Sequence, residues 1–395
     1  MRVYADNAAT TYMSETAMNT LMDCLKNYNS NPNSLHTEGQ ITAEKLAESR
    51  EKVAKAINAA NPNEIYFTSG GSEADNQALL SAARVLKDKG KKHLVSLNIE
   101  HHAILHTLKK LEKEGFEVTL LAPESNGIVD VNKVRDAIRE DTALVSIMFA
   151  NNEMGAIQPI PEIGAICKEK GVLFHTDAVQ AAAHLPIDVQ AMNIDMLSMS
   201  AHKFHGPKGI GLLYLRKGVR LERLIVGGHQ ESGMRAGTTN TPGIIGMAKA
   251  LEISYRDMEK NNSHMKYLRD YFIDRVSKEI PYCKLNGGTE HRLVNNANFS
   301  FDFIEGESIL MNLDLNGIAV SSGSACSSGS LEPSYVILSL GAKMEEAHSS
   351  IRFSLGKDTT KEEIDYTIEK LKETVARLRS WSPLFKEIKG EDKYV

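Results

Sequence analysis

Between residues 64 and 215, short apolar runs alternate with stretches whose apolar positions recur every three to four residues. The runs at 64–68, 94–98, 117–121, 144–149, 172–176, 196–199 and 210–215 have strand length. The intervening stretches at 72–89, 103–114, 131–140 and 160–170 carry the helical period. Strands alternating with amphipathic helices predict an α/β fold, with a mostly parallel seven-stranded sheet covered by helices on both faces. A glycine-dense stretch at 227–237 follows, and then one helical run from Pro242 to about Arg275. Beyond it lie the segment Asn295–Asp302, a glycine- and serine-rich segment and a charged helix near 361–378. The expected division is a large domain, 16–258, and a smaller α+β domain made of 1–15 and 259–395.

Composition narrows the function classes. Hydrophobic residues at 42% and charged residues at 25% describe an ordinary globular chain, and 395 residues suffice for two cores. A formal net charge of −5 leaves no basic footprint, so no nucleic-acid partner is expected. No apolar run reaches membrane-spanning length and the first residues lack an apolar signal core, so no membrane partner and a cytoplasmic location are expected. Cys24, Cys167, Cys283 and Cys326 are far apart and form no metal-binding spacing. Cys24 and Cys167 sit in helical patterns and are expected to pack in the core.

Cys326 differs. It lies in Ser321-Ser322-Gly323-Ser324-Ala325-Cys326-Ser327-Ser328-Gly329, a run of glycine, serine and alanine that cannot build a core of its own. Small wettable neighbours and permissive glycines suit a thiol that is reached and moved, although a Gly/Ser run is also an ordinary loop.

Open α/β sheets bind ligands beyond the carboxyl ends of their strands, which directs attention to four places. Thr68-Ser69-Gly70-Gly71-Ser72-Glu73 runs from a strand into a helix, where free N–H groups and the helix dipole suit a phosphate; Ser72 and Asp75 resemble an N-cap pair. Asp177 follows the strand at 172–176 and either caps the next turn or faces a pyridinium nitrogen. Lys203 follows the strand at 196–199 and is placed for Schiff-base chemistry. His101, beyond the strand at 94–98, is either a structural imidazole or one that stacks on a flat ring and carries protons. A phosphate cradle, a carboxylate, an amine and a stacking ring together describe a pyridoxal phosphate site.

These motifs resemble those of the NifS/IscS-type cysteine desulfurases, fold-type I pyridoxal phosphate-dependent transferases of the class V aminotransferase group. The resemblance covers nearly the whole chain. It rests on Asp6-Asn7-Ala8-Ala9-Thr10-Thr11, Asn31-Pro32-Asn33-Ser34-Leu35-His36, Glu100-His101-His102, Asn151-Asn152-Glu153-Met154-Gly155, His175–Gln180, Ser200–Lys203, Arg235-Ala236-Gly237-Thr238, Ser321–Gly329 and Ser350–Gly356. Cys326 stands in a segment, about 320–333, similar in length to the longer loops of the NifS/IscS branch rather than the short loop of the SufS branch.

The resemblance implies Lys203 as the cofactor lysine, Asp177 facing the ring nitrogen, and Gln180 and Asn152 near the ring hydroxyl. It implies His101 stacked on the ring. Gly71, Ser72, Ser200 and His202 would hold the phosphate, with Thr238 supplied by a second subunit. Arg352, with Asn152, would hold the substrate, and Cys326 would accept sulfur. The implied reaction converts L-cysteine to L-alanine and leaves a persulfide on Cys326. The implied partners are a second copy of the chain and a sulfur acceptor, such as an iron–sulfur scaffold or a tRNA-thiolation enzyme. No intrinsic metal is implied, although the resemblance allows Cys326 to be a transient ligand of a nascent iron–sulfur cluster. Two departures stand out. Gly71-Ser72 replaces a common Ala-Thr, and Asp75-Asn76 replaces a common Asn-Asn, with the Asp75 carboxylate expected to face away from the phosphate or to serve the helix N-terminus. A class V transaminase, a selenocysteine lyase and a non-catalytic assembly scaffold are the competing readings.

Overall fold

The structure, a computed structural model, describes residues 1–322 and 332–389. A short strand, β1 (Val3–Tyr4), precedes helices α1 (Glu15–Asn27) and α2 (Thr37–Ala56). The α/β portion then runs β2 (Ile65–Thr68), α3 (Gly71–Lys87), β3 (His93–Leu97), α4 (His102–Lys113) and β4 (Glu117–Leu121). It continues with α5 (Val131–Ala137), β5 (Thr142–Ser146), α6 (Ile160–Lys170), β6 (Leu173–Asp177), β7 (Met196–Ser200) and β8 (Gly211–Leu215). All seven expected strands form, in one sheet of order β2-β8-β7-β6-β5-β3-β4. Only β8 runs against its neighbours, so the carboxyl ends of β2, β3, β5, β6 and β7 share one edge. Strands β3, β5, β7 and β8 are buried at every residue, as a sheet covered on both faces requires.

The helical run after residue 242 is two helices, α7 (Thr241–Arg256) and α8 (Met258–Glu279). The break falls at Asp257, whose backbone (φ −99°, ψ 6°) leaves the helical region and whose N–H returns to Ile253 O. Apolar periodicity alone does not register such a break, because both helices keep a buried stripe.

The chain continues through β9 (Cys283–Leu285), β10 (Asn296–Phe301), α9 (Gly306–Leu315), β11 (Ile318–Ala319) and β12 (Ser321–Ser322). After the undescribed residues come α10 (Tyr335–Ser339), α11 (Met344–His348), β13 (Ser350–Ser354), α12 (Lys361–Trp381) and α13 (Pro383–Lys389). Strands β12, β13, β10 and β9 form a second, antiparallel sheet, while β1 pairs in parallel with β11. One apolar core gathers Val3 and Ala5 with residues from Leu268 to Val375, including Phe272, Phe299 and Phe353. Two others fill the faces of the large sheet, and Leu293 and Val336 reach across into one of them. Cys24 and Cys167 are buried on α1 and α6, as expected. Among the described residues, no helix is long and apolar enough to cross a membrane.

Candidate active site

The strand ends meet at a cavity of about 440 Å³. Helix α3 brings its N-terminus to it. Its N-cap residue, Gly70, has no side chain to bond the first-turn N–H groups, which leaves these donors to a ligand. Gly71, Ser72 and Ser200 line the wall there. The backbone passes so close that a Cβ on residue 71 would lie 2.7 Å from Val179 Cγ2, so only glycine fits without a shift. The expected Ser72–Asp75 capping pair does not form: the helix begins one residue before Ser72, and Asp75 is buried in the cavity wall. Glu73 is the acidic residue that serves the turn, accepting from Ser69 N at 2.9 Å and pairing with Arg235.

Strand β6 ends on Asp177, which is 6% exposed. One carboxylate oxygen accepts the Val179 N–H at 2.9 Å, so the residue shapes its turn and also faces the cavity. Burial raises its pKa to about 6, against the Val179 hydrogen bond and the nearby Lys203 charge. Lys203 follows β7 in a single 3-10 turn. Its Nζ donates to Ala8 O at 2.6 Å and Ala9 O at 2.7 Å. The N-terminal segment is therefore a wall of the site, and Gln180 Nε2 reinforces it by donating to Ala8 O at 2.9 Å. His202 holds the same segment, its carbonyl accepting from both Thr11 N and Thr11 Oγ1 at 2.9 Å.

His101 caps α4, accepting Ala103 N–H at Nδ1 over 3.1 Å. That contact fixes the ring plane at the cavity wall. Burial, with Lys203 and His106 nearby, lowers its pKa to about 4, so the imidazole is neutral near pH 7. Arg352 of β13, also in the cavity wall, is 3% exposed. It donates from Nη1 to Asn152 O at 3.0 Å and from Nη2 to Asp6 Oδ1 at 2.9 Å. Asn151 shapes the turn carrying Asn152 by accepting from Glu153 N (2.8 Å) and Met154 N (3.0 Å).

The cavity thus gathers Gly71, Ser72, His101, Asn152, Asp177, Gln180, Ser200, His202, Lys203 and Arg352. Thr238 is not among its lining residues and lies exposed beyond Gly237. Cys326 lies outside the described residues, but the chain on either side of its segment is placed. Ser321 lines the cavity and pairs in register with Arg352. After the segment, Ser334 Oγ donates to Glu153 Oε2 at 2.5 Å, and Tyr335 Oη donates to Glu100 O at 2.6 Å.

The sequence singles out Asp6–Thr11 as a matching block but gives no site role to Asp6 or to the Ala8 and Ala9 carbonyls, and it does not place Asp75 in the cavity wall. Asp6 to Ala9 are nearly 200 residues from Lys203 and carry no motif spacing with it. Asp75 stands one helical turn after Gly71, a spacing that places it on the cavity face and was the available signal.

The cavity suits a flat, anionic, ring-containing cofactor. Three of its polar atoms are buried without partners among the described residues: Asn152 Oδ1, Asp75 Oδ1 and Arg352 Nε. An uncapped helix N-terminus, an amine and a buried carboxylate complete the set of contacts that pyridoxal phosphate needs.

Comparisons agree with this site and fold. The sequence model of the class V aminotransferases matches residues 3–367. The chain belongs to that family, whose fold is the fold-type I architecture of pyridoxal phosphate-dependent enzymes. Within it, the chain is of the NifS/IscS type. It is 50% identical over 388 residues to cysteine desulfurase IscS of Clostridium botulinum strain Hall, covering 98% of this chain and 97% of that one. A solved NifS-like protein superposes with a TM-score of 0.90 at 37% identity, covering 96% of this chain and 100% of the other. SspA, solved in complex with cysteine, gives a TM-score of 0.79 at 34% identity over 91% of this chain and 100% of its own.

Proposed function

We propose that the cavity binds L-cysteine beside pyridoxal 5'-phosphate and that the Cys326 thiol carries the substrate sulfur away as a persulfide. The chain is a pyridoxal phosphate-dependent cysteine desulfurase supplying sulfur for iron–sulfur or other pathways. The observation that carries the residue assignments is the pairing of Ser321 with Arg352. The chain enters the Cys326 segment directly beside the residue suited to a substrate carboxylate. Cys326 stands four residues after Ser322, a contour of about 14 Å at most.

The bound cofactor supplies an electron-accepting ring that acidifies the substrate α-hydrogen and weakens the carbon–sulfur bond. The α3 N–H groups with Ser72, Ser200 and His202 take its phosphate, joined by the partner subunit's Thr238. Asp177 faces the ring nitrogen, His101 covers the ring, and Gln180 and Asn152 attend its hydroxyl. The Lys203 amine anchors the cofactor and moves the α-proton. Arg352, already oriented by Asp6 and the Asn152 carbonyl, grips the substrate carboxylate. His101, neutral at working pH, accepts a proton as a thiol ionises. The Cys326 thiolate attacks the substrate sulfur. The S–S bond forms as the carbon–sulfur bond breaks, and the carbon takes up a proton and leaves as alanine.

A homodimer is part of this proposal. Met18, Met22 and Leu25 are exposed at one-turn spacing along α1, and Tyr12 (72%) and Leu35 (92%) add to the apolar surface. The division at 16–258 against 1–15 with 259–395 accords with the separate apolar core built from Val3, Ala5 and residues 268–375. Delivery to an iron–sulfur scaffold or a tRNA-thiolation enzyme, in the cytoplasm, completes the reading.

Cys326→Ala is expected to keep the visible absorption of the bound cofactor and to lose alanine formation from L-cysteine. Lys203→Ala is expected to lose that absorption. Normal turnover by the Cys326→Ala protein would refute the thiol assignment, and amino transfer dependent on a keto acid would replace it with a transaminase.

A further inference from the structure

Two carboxyls, not one, are buried at the strand end assigned to the ring nitrogen. Asp75, one turn into α3, is 1% exposed, lines the same cavity as Asp177 and interacts with it electrostatically. Its Oδ1 has no hydrogen-bond partner among the described residues and lies 3.7 Å from His175 Nε2. His175 is fully buried two residues before Asp177. It bonds Ser146 Oγ through Nδ1 at 2.9 Å and Ser198 Oγ through Nε2 at 3.0 Å. Ser198 stands opposite Asp177 in the β6–β7 register and also hydrogen-bonds the Asp75 carboxyl.

Two carboxylates buried side by side do not both ionise, because their repulsion adds to the cost of burial. The surroundings decide which one keeps the charge. Asp177 receives the Val179 N–H and faces the Lys203 ammonium. Asp75 has no such cation. Its facing groups are Asp177, the Ser198 hydroxyl, the buried Glu100 and the His175 imidazole. Burial keeps that imidazole neutral, lowering its pKa to about 3. Burial first, and then the Asp177 charge, push the Asp75 carboxyl well above the usual carboxylate range.

We infer that Asp75 is a positioning residue that acts through Asp177, keeping its own proton so that Asp177 is the single anion presented to the cofactor ring nitrogen. A neutral Asp75 has a proton to give to Ser198 Oγ, its hydrogen-bond neighbour and the residue opposite Asp177 in the register, and adds no second anion beside Asp177. It orients Asp177 without competing for the ring. The inference rests on the assignment of Asp177 to the ring nitrogen.

The test uses the full chain, stripped of cofactor and titrated with pyridoxal phosphate or with its analogue lacking the ring nitrogen. Affinity is read from the absorption of the bound ring. Asp75→Asn retains a donor in the same space and is expected to bind pyridoxal phosphate within about threefold of the original chain. Asp75→Leu removes the donor at similar volume and is expected to bind it at least tenfold more weakly. Its affinity for the analogue should stay unchanged, which also shows that the variant is folded. If the original chain binds both ligands equally, the assignment of Asp177 fails. If it prefers pyridoxal phosphate and Asp75→Leu keeps that preference undiminished, the role of Asp75 fails alone. Equal loss of that preference in Asp75→Asn and Asp75→Leu would overturn the neutral-donor account, because it would make the negative charge the property that matters.

Discussion

At the scale of single residues, burial is the force that tunes this site, and it acts in opposite directions on acids and bases. It lowers His101 and His202 to about 4 and raises Asp177 to about 6. Glu153, beside Asn152 and 2% exposed, is raised to about 7 by burial, against its bond from Ser334 and the Arg352 charge. A carboxyl whose folded pKa lies above its unfolded value stabilises the fold while protonated. That stability is present below about 4.5 and is lost as pH rises through about 7. The difference is worth on the order of 3 kcal/mol at full ionisation, as an upper bound. Glu153→Gln keeps the acceptor for Ser334 and removes the titration. The variant and the original chain should therefore unfold at nearly the same temperature at pH 5, and the variant should unfold at a higher temperature by pH 8. Thermal denaturation followed by circular dichroism across this range checks the sign, and a constant difference between the two proteins would contradict it. The identity of Glu153 was legible in the sequence, but its titration was not, since depth of burial depends on Asn296, Asn298 and Ser334 arriving from far along the chain.

At the scale of elements, the site depends on how closely α3 approaches the turn after β6. Its glycine belongs to the sequence pattern, but the reason for it is Val179, whose methyl occupies the space a side chain at 71 would need. Gly71→Ala is expected to push the turn carrying Asp177 away from the helix and to weaken cofactor binding several-fold. Adding Val179→Ala opens the space again and should restore it. A titration of the cofactor-free proteins decides this: equal weakening in the single and double variants would mean that contact with Val179 is not the cause. The strands were legible because each is a short apolar run bounded by polar turns, and a sheet covered on both faces demands that pattern. The break between α7 and α8 was not legible, since a change of direction at one residue leaves the apolar period intact.

At the scale of the whole molecule, the proposed dimer brings Thr238 to a cavity it does not line within its own chain. Sedimentation should give twice the chain mass of 43.5 kDa. Paired Met22→Glu and Leu25→Glu changes on the exposed stripe of α1 should shift it towards the single chain and weaken cofactor binding. A single-chain mass for the unaltered protein would remove the partner's Thr238 from the phosphate site. The strand and helix order, the class of the fold and most of the residues that line the cavity follow from the sequence by itself, because periodicity and residue chemistry at strand ends are local properties. The role proposed for Cys326 rests on the sequence and its resemblance, because that residue lies outside the described residues. Other features were decided by the tertiary structure alone. The Ala8 and Ala9 carbonyls close over Lys203, Asp6 and Ser321 meet Arg352, and Asp75 is buried beside Asp177 and His175. Each of these joins residues from separate parts of the chain, and the desolvation and Coulomb forces acting on them exist only once packing has excluded water and set the distances.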